Sequence, residues 1–240
     1  MFAVIFEVHP KKERKDEYLA LAKHLKPMLE AMDGFIDNER FGSNQTEGSI
    51  LSLSTWRDEK SVVRWRTRSE HHSVQEKGRF EIFENYHLRV GEVIGDSHPP
   101  SGGVNDEKRF DETVVGNAKV CTITELAPAE EFSLDRNAVT LPAQLGFKTS
   151  IEGLIDHEVF ESITNPGRFL LLGSWMDASS ALAFHPKWFP GIASLRHRHV
   201  RVIRDYGMYD RREAPQYYPD VTGTAKSLAR PGDRITLSPS

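Results

Sequence analysis

The sequence predicts an α+β protein in which one β-α-β-β-α-β unit occurs twice. The length of 240 residues suits two domains, each large enough to bury a core of its own. An internal repeat relates the two halves. Both halves also alternate between strand-like and helix-like hydrophobic periodicity in the same order. These three observations together predict a tandem duplication of one small domain.

The repeat is clearest in two segments that recur at one fixed shift. Residues Gly34–Phe41 recur as Gly153–Phe160, a shift of 119 residues. At the same shift, Leu51–Asp58 recurs as Leu170–Asp177, so that a Trp-Asp pair stands in register in both copies. A repeat of this length is a whole domain rather than a solenoid unit, which indicates duplication of a self-associating fold.

The first half is predicted to contain strand, helix, strand, strand, helix and strand. Apolar residues follow helical spacing from Tyr18 to Met32, Gly34 ends that helix, and Asp58 is placed to cap the next one. The predicted strands are 2–8, 35–42, 49–57 and 86–95, and the second predicted helix is 59–85. This order is that of a ferredoxin-like unit.

The second half repeats the order less regularly. Its predicted strands are 118–125, 153–161, 168–176 and 197–206. Pro142 interrupts the first of its helices, and Pro186, Pro190 and Gly191 break the second. The resulting division is unit 1 over 1–97, a Pro- and Gly-rich linker over 98–114, unit 2 over 115–210 and an extended tail over 211–240.

The composition excludes several classes of partner. A formal net charge of −4 gives no general attraction to nucleic acid. The opening apolar run turns charged at Glu7, well short of the roughly 18 apolar residues of a membrane span. A single cysteine, Cys121, excludes an intrachain disulfide and a cysteine-based metal site, and it favours a reducing compartment. We therefore expect a cytoplasmic protein with neither nucleic-acid nor membrane partners.

Four segments of the first half carry a resemblance to a known family. They are Ser52–Glu59 (SLSTWRDE), Val63–Arg66 (VRWR), Ser69–His72 (SEHH) and Tyr86–Val93 (YHLRVGEV). This pattern resembles the antibiotic biosynthesis monooxygenase (ABM) family over most of residues 1–96, and over 153–177 and 198–206 in the second half. The resemblance implies a sheet that packs against a partner's sheet as a dimeric α/β barrel. Because the partner is fused in cis, we predict an intramolecular pseudo-dimer, and further homo-oligomers stay open.

The resemblance also implies a small-molecule cavity between the sheet and the helices of each unit. The activities that it implies are cofactor-free oxidation of aromatic polyketides and oxygenolytic haem degradation. We predict a cofactor-independent monooxygenase acting on a small hydrophobic or aromatic substrate. Trp65 is the candidate pocket residue, and His72, two helical turns further on, is the candidate general base. In the alternative interpretation, Trp65 fills the core and His72 faces solvent.

The remaining candidate substrate-binding residues are His71, Trp56, Phe6, His185 and Trp188. At a shift of 119 the position of Trp65 is Phe184, and the irregular aromatic segment after it either lines a remodelled site or packs over a shortened helix. Neighbouring histidines on a helix diverge by about 100° and cannot chelate one ion together, so no metal site is predicted.

Two other functions stay open. One is a non-catalytic ligand-binding or stress-related barrel. The other is haem binding or degradation. The haem-degrading branch would place its axial histidine at Gln75 and its first-strand asparagine at Phe6, so two of its signature residues are missing.

The segment Arg196–Arg204 is rich in basic residues. As a strand it would place His197, His199 and Arg201 on one face, and Arg196 and Arg198 on the other. This positive charge either attracts an anionic ligand or pairs with carboxylates near the barrel seam.

Overall fold

The computed structural model describes residues 1–100, 110–129 and 140–218. Within these residues eight strands are present: β1 (Phe2–Pro10), β2 (Phe35–Ser43), β3 (Ile50–Trp56), β4 (Phe83–Asp96), β5 (Val120–Pro128), β6 (Leu154–Ser162), β7 (Phe169–Trp175) and β8 (Ile192–Gly207). They form one closed antiparallel barrel in the order β1-β3-β2-β6-β7-β5-β8-β4. Most of the predicted linker and of the predicted tail lies outside the described residues.

The helices lie outside the barrel. They are α1 (Lys15–Glu30), α2 (Glu59–Arg66), α3 (Ser69–Lys77), α4 (Thr140–Gln144) and α5 (Ala178–Ala183). Each half contributes four strands in ferredoxin-like order, and the halves join where β2 pairs with β6 and β4 pairs with β8. The predicted fold, two such units closed into one intramolecular α/β barrel, is confirmed. None of the described helices is both long and apolar enough to cross a membrane.

Apolar side chains from both halves fill the barrel interior. The buried set is Met1, Ala3, Ile5, Phe41, Leu51, Leu53, Val93, Cys121, Ile123, Phe160, Leu170, Leu172, Val200 and Val202. Because side chains alternate across a strand, the residues between these positions face outward, toward the helices. The interior is therefore solid core, and the space for a ligand has to lie between the sheet and the helices.

Two arginines cross the interior in equivalent ways. Arg89 forms an ion pair with Glu7 of its own half and donates to the Ser174 hydroxyl of the other half at 2.8 Å. Arg198 forms an ion pair with Glu125 of its own half and donates to Thr55 of the other half at 2.9 Å. The arginine segment thus pairs with carboxylates at this point. Each buried guanidinium also ties the two halves together.

The local signals at the helix starts are confirmed in both halves. The Asp58 carboxylate accepts from the Ser61 backbone N–H at 2.7 Å, and Asp177 accepts from that of Ser180 at 2.8 Å. Before each of these turns a glycine has positive φ, +81° at Gly34 and +80° at the equivalent Gly153. A Cβ at Gly34 would lie 2.0 Å from the Ser61 hydroxyl oxygen, so the close packing also requires glycine.

The prediction of one continuous helix over 59–85 is wrong. The chain leaves α2 at Thr67, whose hydroxyl donates to the Val63 carbonyl at 2.9 Å, and Arg68 is extended with ψ 133°. The helix restarts as α3, and a π-helical turn at Gly78–Ile82 then leads into β4. A threonine that bonds back to the helix carbonyls competes with the helical hydrogen bonds, which periodicity alone does not register.

The closing strands are longer than predicted. β4 begins at Phe83 rather than 86, and β8 begins at Ile192 rather than 197. Barrel closure supplies the reason, because β8 pairs with β5 from Ile192 onward and with β4 as far as Gly207. Pairing with β5 therefore extends β8 toward its N-terminus, beyond the residues whose pattern predicts a strand.

Candidate active site in the first half

A cavity of about 200 Å³ lies between the helices of the first half and the outer face of its sheet. Its apolar wall includes Val4, Phe6, Leu21, Leu25, Val62, Trp65, Leu88 and Val90. Apolar cavities of roughly 150 Å³ hold a molecule such as benzene. The first half therefore has room for a small organic ligand.

The equivalent space in the second half is filled by aromatic rings. Phe184, at the position of Trp65, is buried and packs edge-on against Phe147 with ring centroids 4.9 Å apart. Phe147 in turn contacts Trp175 at 5.9 Å. The short helices α4 and α5 let these rings settle onto the sheet, so the two halves share a fold but differ in their interior space.

Trp65 and His71 form one wall of the cavity. Their rings are stacked with centroids 4.3 Å apart and an interplanar angle of 19°. The His71 Nδ1 atom lies 3.0 Å from the Trp65 carbonyl oxygen. Because a carbonyl only accepts, Nδ1 carries the proton and Nε2 keeps a lone pair. Within the part of the chain that the structure describes, Nε2 has no hydrogen-bond partner. Burial lowers the pKa of His71 to about 4, so the ring is neutral at pH 7.

His72 does not line the cavity and instead faces the end of the described chain. Its ring stacks on Tyr218 at 5.5 Å, and the Tyr218 hydroxyl lies 3.1 Å from His72 Nδ1. Gln75 lies between the two histidines, accepting from Tyr218 at 3.3 Å and lying 3.4 Å from His71 Nδ1. The break between α2 and α3 changes the helical phase, so His71 and not His72 reaches Trp65. A catalytic role for Trp65 or His72 stays a prediction.

The other candidate substrate-binding residues are distributed over the molecule. Phe6 lines the cavity and packs edge-on against Phe83 at 5.9 Å. Trp56 is fully buried in the core, where its indole donates to the Ser54 hydroxyl at 2.9 Å. His185 is exposed, and Trp188, 60% exposed, borders a separate charged cavity of about 450 Å³. His185 and Trp188 do not join the first-half cavity.

A cationic and phenolic end completes the cavity. Its polar lining residues include Arg66, Arg79, Arg204, Arg211, Tyr86, Tyr206 and Tyr218. Arg211 donates to the Tyr86 hydroxyl at 2.6 Å and to the Gln216 carbonyl at 2.9 Å, and it lies over the Tyr218 ring at 5.2 Å. No sequence pattern singles out these residues for the site, although Arg204 belongs to the basic segment Arg196–Arg204, for which an anionic ligand is one of the two predicted roles.

The last described segment closes this end. Residues 208–218 run from β8 back over the first half, and Glu213 anchors them by accepting from the Thr113 hydroxyl and the Asp205 backbone N–H, both at 2.7 Å. The segment carries Arg211 and Tyr218 into the cavity wall. The second half of the chain therefore supplies part of the first half's cavity.

Other reactive groups lie outside the cavity. Burial raises the pKa of the Cys121 thiol to about 12, so this cysteine inside the barrel is an inert thiol at neutral pH. Among the described residues no group of three or more histidine, cysteine or carboxylate side chains is placed to hold a metal ion.

Fold and cavity define a barrel protein with space for a small organic ligand in one of its two halves. The sequence profile described as antibiotic biosynthesis monooxygenase matches residues 1–77. A protein of Pyricularia oryzae (strain 70-15) named jasmonate monooxygenase is 44% identical over 229 residues, which cover 92% of this chain and all of that protein. The chain belongs to the antibiotic biosynthesis monooxygenase family.

Two further comparisons bear on parts of the molecule. An uncharacterised protein of Bacillus subtilis (strain 168) is 29% identical over 92 residues, 38% of this chain and 78% of its own length. The crystal structure of an aldoxime dehydratase superposes with a TM-score of 0.51 at 12% identity, covering 84% of this chain and 80% of the other. At that identity the likeness concerns the fold alone.

Proposed function

We propose that the protein is a monooxygenase whose reaction takes place in the first-half cavity, on a small apolar or aromatic molecule and without a bound cofactor. One observation carries the proposal: the Trp65–His71 stack places an unprotonated Nε2 beside an apolar cavity in a chain of this family. The 44% identity to a jasmonate monooxygenase over nearly the whole chain makes jasmonate the first molecule to test. The comparisons do not favour a non-catalytic barrel or haem degradation.

The electrons of the cofactor-free reaction come from the substrate. A C–H group made acidic by a neighbouring carbonyl or aromatic ring loses its proton, and the resulting carbanion reduces oxygen. Oxidation of a methylene to a carbonyl balances as R₂CH₂ + O₂ → R₂CO + H₂O. The protein positions the substrate, excludes water and accepts the proton.

His71 is the better placed proton acceptor. Its Nε2 lone pair is available at neutral pH, whereas His72 lies outside the cavity against Tyr218. With a pKa of about 4 the free ring is a weak base. A negative charge that arrives with the substrate or develops on it raises this pKa and so favours proton transfer.

Oxygen uptake and isotope incorporation test the proposal. Metal-depleted protein is mixed with jasmonate under ¹⁸O₂, and we expect one ¹⁸O atom in the product. His71→Gln is expected to lower kcat/KM by about 100-fold, as loss of a general base does, and His72→Gln by less than about ten-fold. Uptake no faster than the protein-free blank, or equal rates in wild type and His71→Gln, would contradict the proposal.

We also propose that one chain is the working unit, because the second half occupies the place of a dimer partner. Light scattering should then give a mass near 27.3 kDa. A stable mass of twice that value would show that a further homo-oligomer forms. The cytoplasmic location stays a prediction that rests on the single buried cysteine.

A further inference from the structure

The cavity end that β8 builds contains polar donors without partners. Tyr206 and Arg204 lie on β8 directly opposite Leu88 and Val90 of β4, which line the apolar wall. Directly opposite residues on neighbouring strands present their side chains on one face. Because β8 belongs to the second half, the two halves share this wall.

Three of these groups have no partner within the described residues. The Arg204 guanidinium makes no hydrogen bond or ion pair there, and neither does the Tyr206 hydroxyl. The buried Nε of Arg66 has no acceptor. The hydrogen bond at this residue is donated by the Gln216 side-chain amide to the Arg66 backbone carbonyl. Buried donors are nearly always satisfied, so the buried Arg66 Nε, together with the partnerless Arg204 and Tyr206 donors on the same cavity, points to a missing acceptor.

The charge around Tyr206 identifies what kind of acceptor is missing. Burial raises the pKa of Tyr206 to about 12, against the opposing positive charges of Arg66, Arg211 and Arg204. The phenol is therefore a donor at neutral pH, surrounded by three guanidinium groups. A group of guanidinium and phenol donors on one cavity suits a carboxylate, which accepts from several donors at once.

The second half lacks this arrangement. At the shift of 109 residues that relates the closing strands, Arg204 corresponds to Gly95, and Tyr206 corresponds to Ser97. A Cβ on Gly95 would lie 3.2 Å from His199, so this side of the barrel is packed rather than open. The cationic wall thus occurs only where a cavity exists.

We propose that the ligand of the first-half cavity is an organic carboxylate, whose carboxylate group binds Arg66, Arg204 and the Tyr206 hydroxyl while its apolar body lies along Phe6 and Trp65. This assignment rests on the proposed function and adds the substrate class to it. It also explains why the second half is kept: its last strand provides two of the three anion-binding groups, Arg204 and Tyr206. The substrate's charge then lies in the same cavity as His71.

Matched pairs of an acid and its methyl ester test the assignment. Jasmonate with methyl jasmonate, and octanoate with methyl octanoate, are titrated calorimetrically into the full chain at pH 7.5. In each pair the apolar body is the same and the charge differs. Charge-assisted hydrogen bonds predict that an acid binds at least about ten-fold more tightly than its ester.

Arg204→Gln and Arg66→Gln should each reduce this preference to about three-fold or less, while the ester's own affinity changes less than about two-fold. The unchanged ester affinity would show that the variant cavity is intact. Arg212→Gln, at an exposed arginine next to Arg211 that pairs with Asp210, should keep the full preference. This control removes one positive charge, as Arg204→Gln does, but at a position outside the cavity.

The proposal is wrong if neither acid binds more tightly than its ester, or if Arg212→Gln reduces the preference as much as Arg204→Gln. Oxygen uptake measured in parallel separates this inference from the proposed function. Equal binding of acid and ester with continued uptake would remove the carboxylate assignment alone. Arginine-dependent binding of an acid without any uptake would contradict the monooxygenase and leave a carboxylate-binding site.

Discussion

The two halves of the barrel have the same strands and differ in what lies between the strands and the helices. In the first half Trp65 and His71 border open space, and in the second Phe184 packs against Phe147 and fills it. The difference shows that duplication preserves the parts that close the barrel. The layer above the sheet is free to diverge, so one half encloses a cavity and the other is packed with aromatic rings.

The largest expected effect on stability comes from the interior arginine–glutamate pairs that both halves contain. Arg89→Met and Arg198→Met each remove a buried guanidinium from its ion pair with a largely buried glutamate, and we expect each to lower the free energy of unfolding by about 3–5 kcal/mol. Because the pairs are related by the repeat, the two losses should agree within about 1 kcal/mol. Urea denaturation measures both, and a large loss in only one variant would show that the halves are not equivalent inside the barrel.

The next largest effect should be a difference in stability between equivalent variants of the two halves. Phe184→Ala removes a buried ring from a filled core and should cost about 3–5 kcal/mol of unfolding free energy. Trp65→Ala, at the equivalent position, borders a cavity and should cost less than about 2 kcal/mol. Urea denaturation of both variants decides the point. Equal losses would mean that Trp65 is a core residue and that the cavity is not a preformed site.

A pH effect on stability should arise from a buried histidine of the second half. Burial first, and then the neighbouring His199 and His185, lower the pKa of His197 to about 3 from the usual 6.5. The unfolded chain therefore binds a proton below pH 6.5 that the folded chain does not, so this stability is complete above pH 6.5 and is lost as the pH falls. Between pH 7 and 5.5 the loss due to His197 should be about 1 kcal/mol.

His197→Gln should remove that part of the pH dependence, measured as the change in urea midpoint between the two pH values. His24→Gln, at an exposed position of α1, is the control and should keep the wild-type change. If His197→Gln follows wild type, the histidine is protonated in the folded chain and the second-half core is wetter than its packing indicates.

The smallest expected effect on stability comes from the helix caps that both halves contain. Asp58→Ala and Asp177→Ala each remove the side chain that caps a helix, α2 in one half and α5 in the other. Each should lower the free energy of unfolding by about 1 kcal/mol. Thermal or urea unfolding checks the value, and asparagine at either position should restore most of it. A negligible loss at Asp177 would indicate that the short helix of the second half is held by packing alone.

The sequence was sufficient for the parts of the fold that depend on local chemistry. Gly34, Asp58 and their copies at Gly153 and Asp177 mark turns whose geometry few other residues adopt. The family resemblance implies the barrel, and the repeat supplies the second unit within the same chain. Trp65 is predicted as a pocket residue by the family resemblance, and the structure places it on the cavity wall.

The rest of the site depends on interactions between distant parts of the chain. His71 lies in the cavity wall in place of the predicted His72 because the helix breaks at Thr67. A single side-chain hydrogen bond from Thr67 accompanies this break, and hydrophobic periodicity does not reveal it. Arg204 and Tyr206 reach the cavity through the register of β8 on β4, which contains two bulges. No pattern within either strand predicts that register, since it is set when the barrel closes.

If the first-half cavity is the one ligand site among the described residues, the stoichiometry of jasmonate binding shows it most directly. Calorimetric titration of the full chain should give one molecule bound per chain. Binding should be lost in Trp65→Ala and kept in Trp188→Ala, which alters the separate cavity near the seam. Two molecules per chain, or binding that survives Trp65→Ala and is lost in Trp188→Ala, would contradict the account.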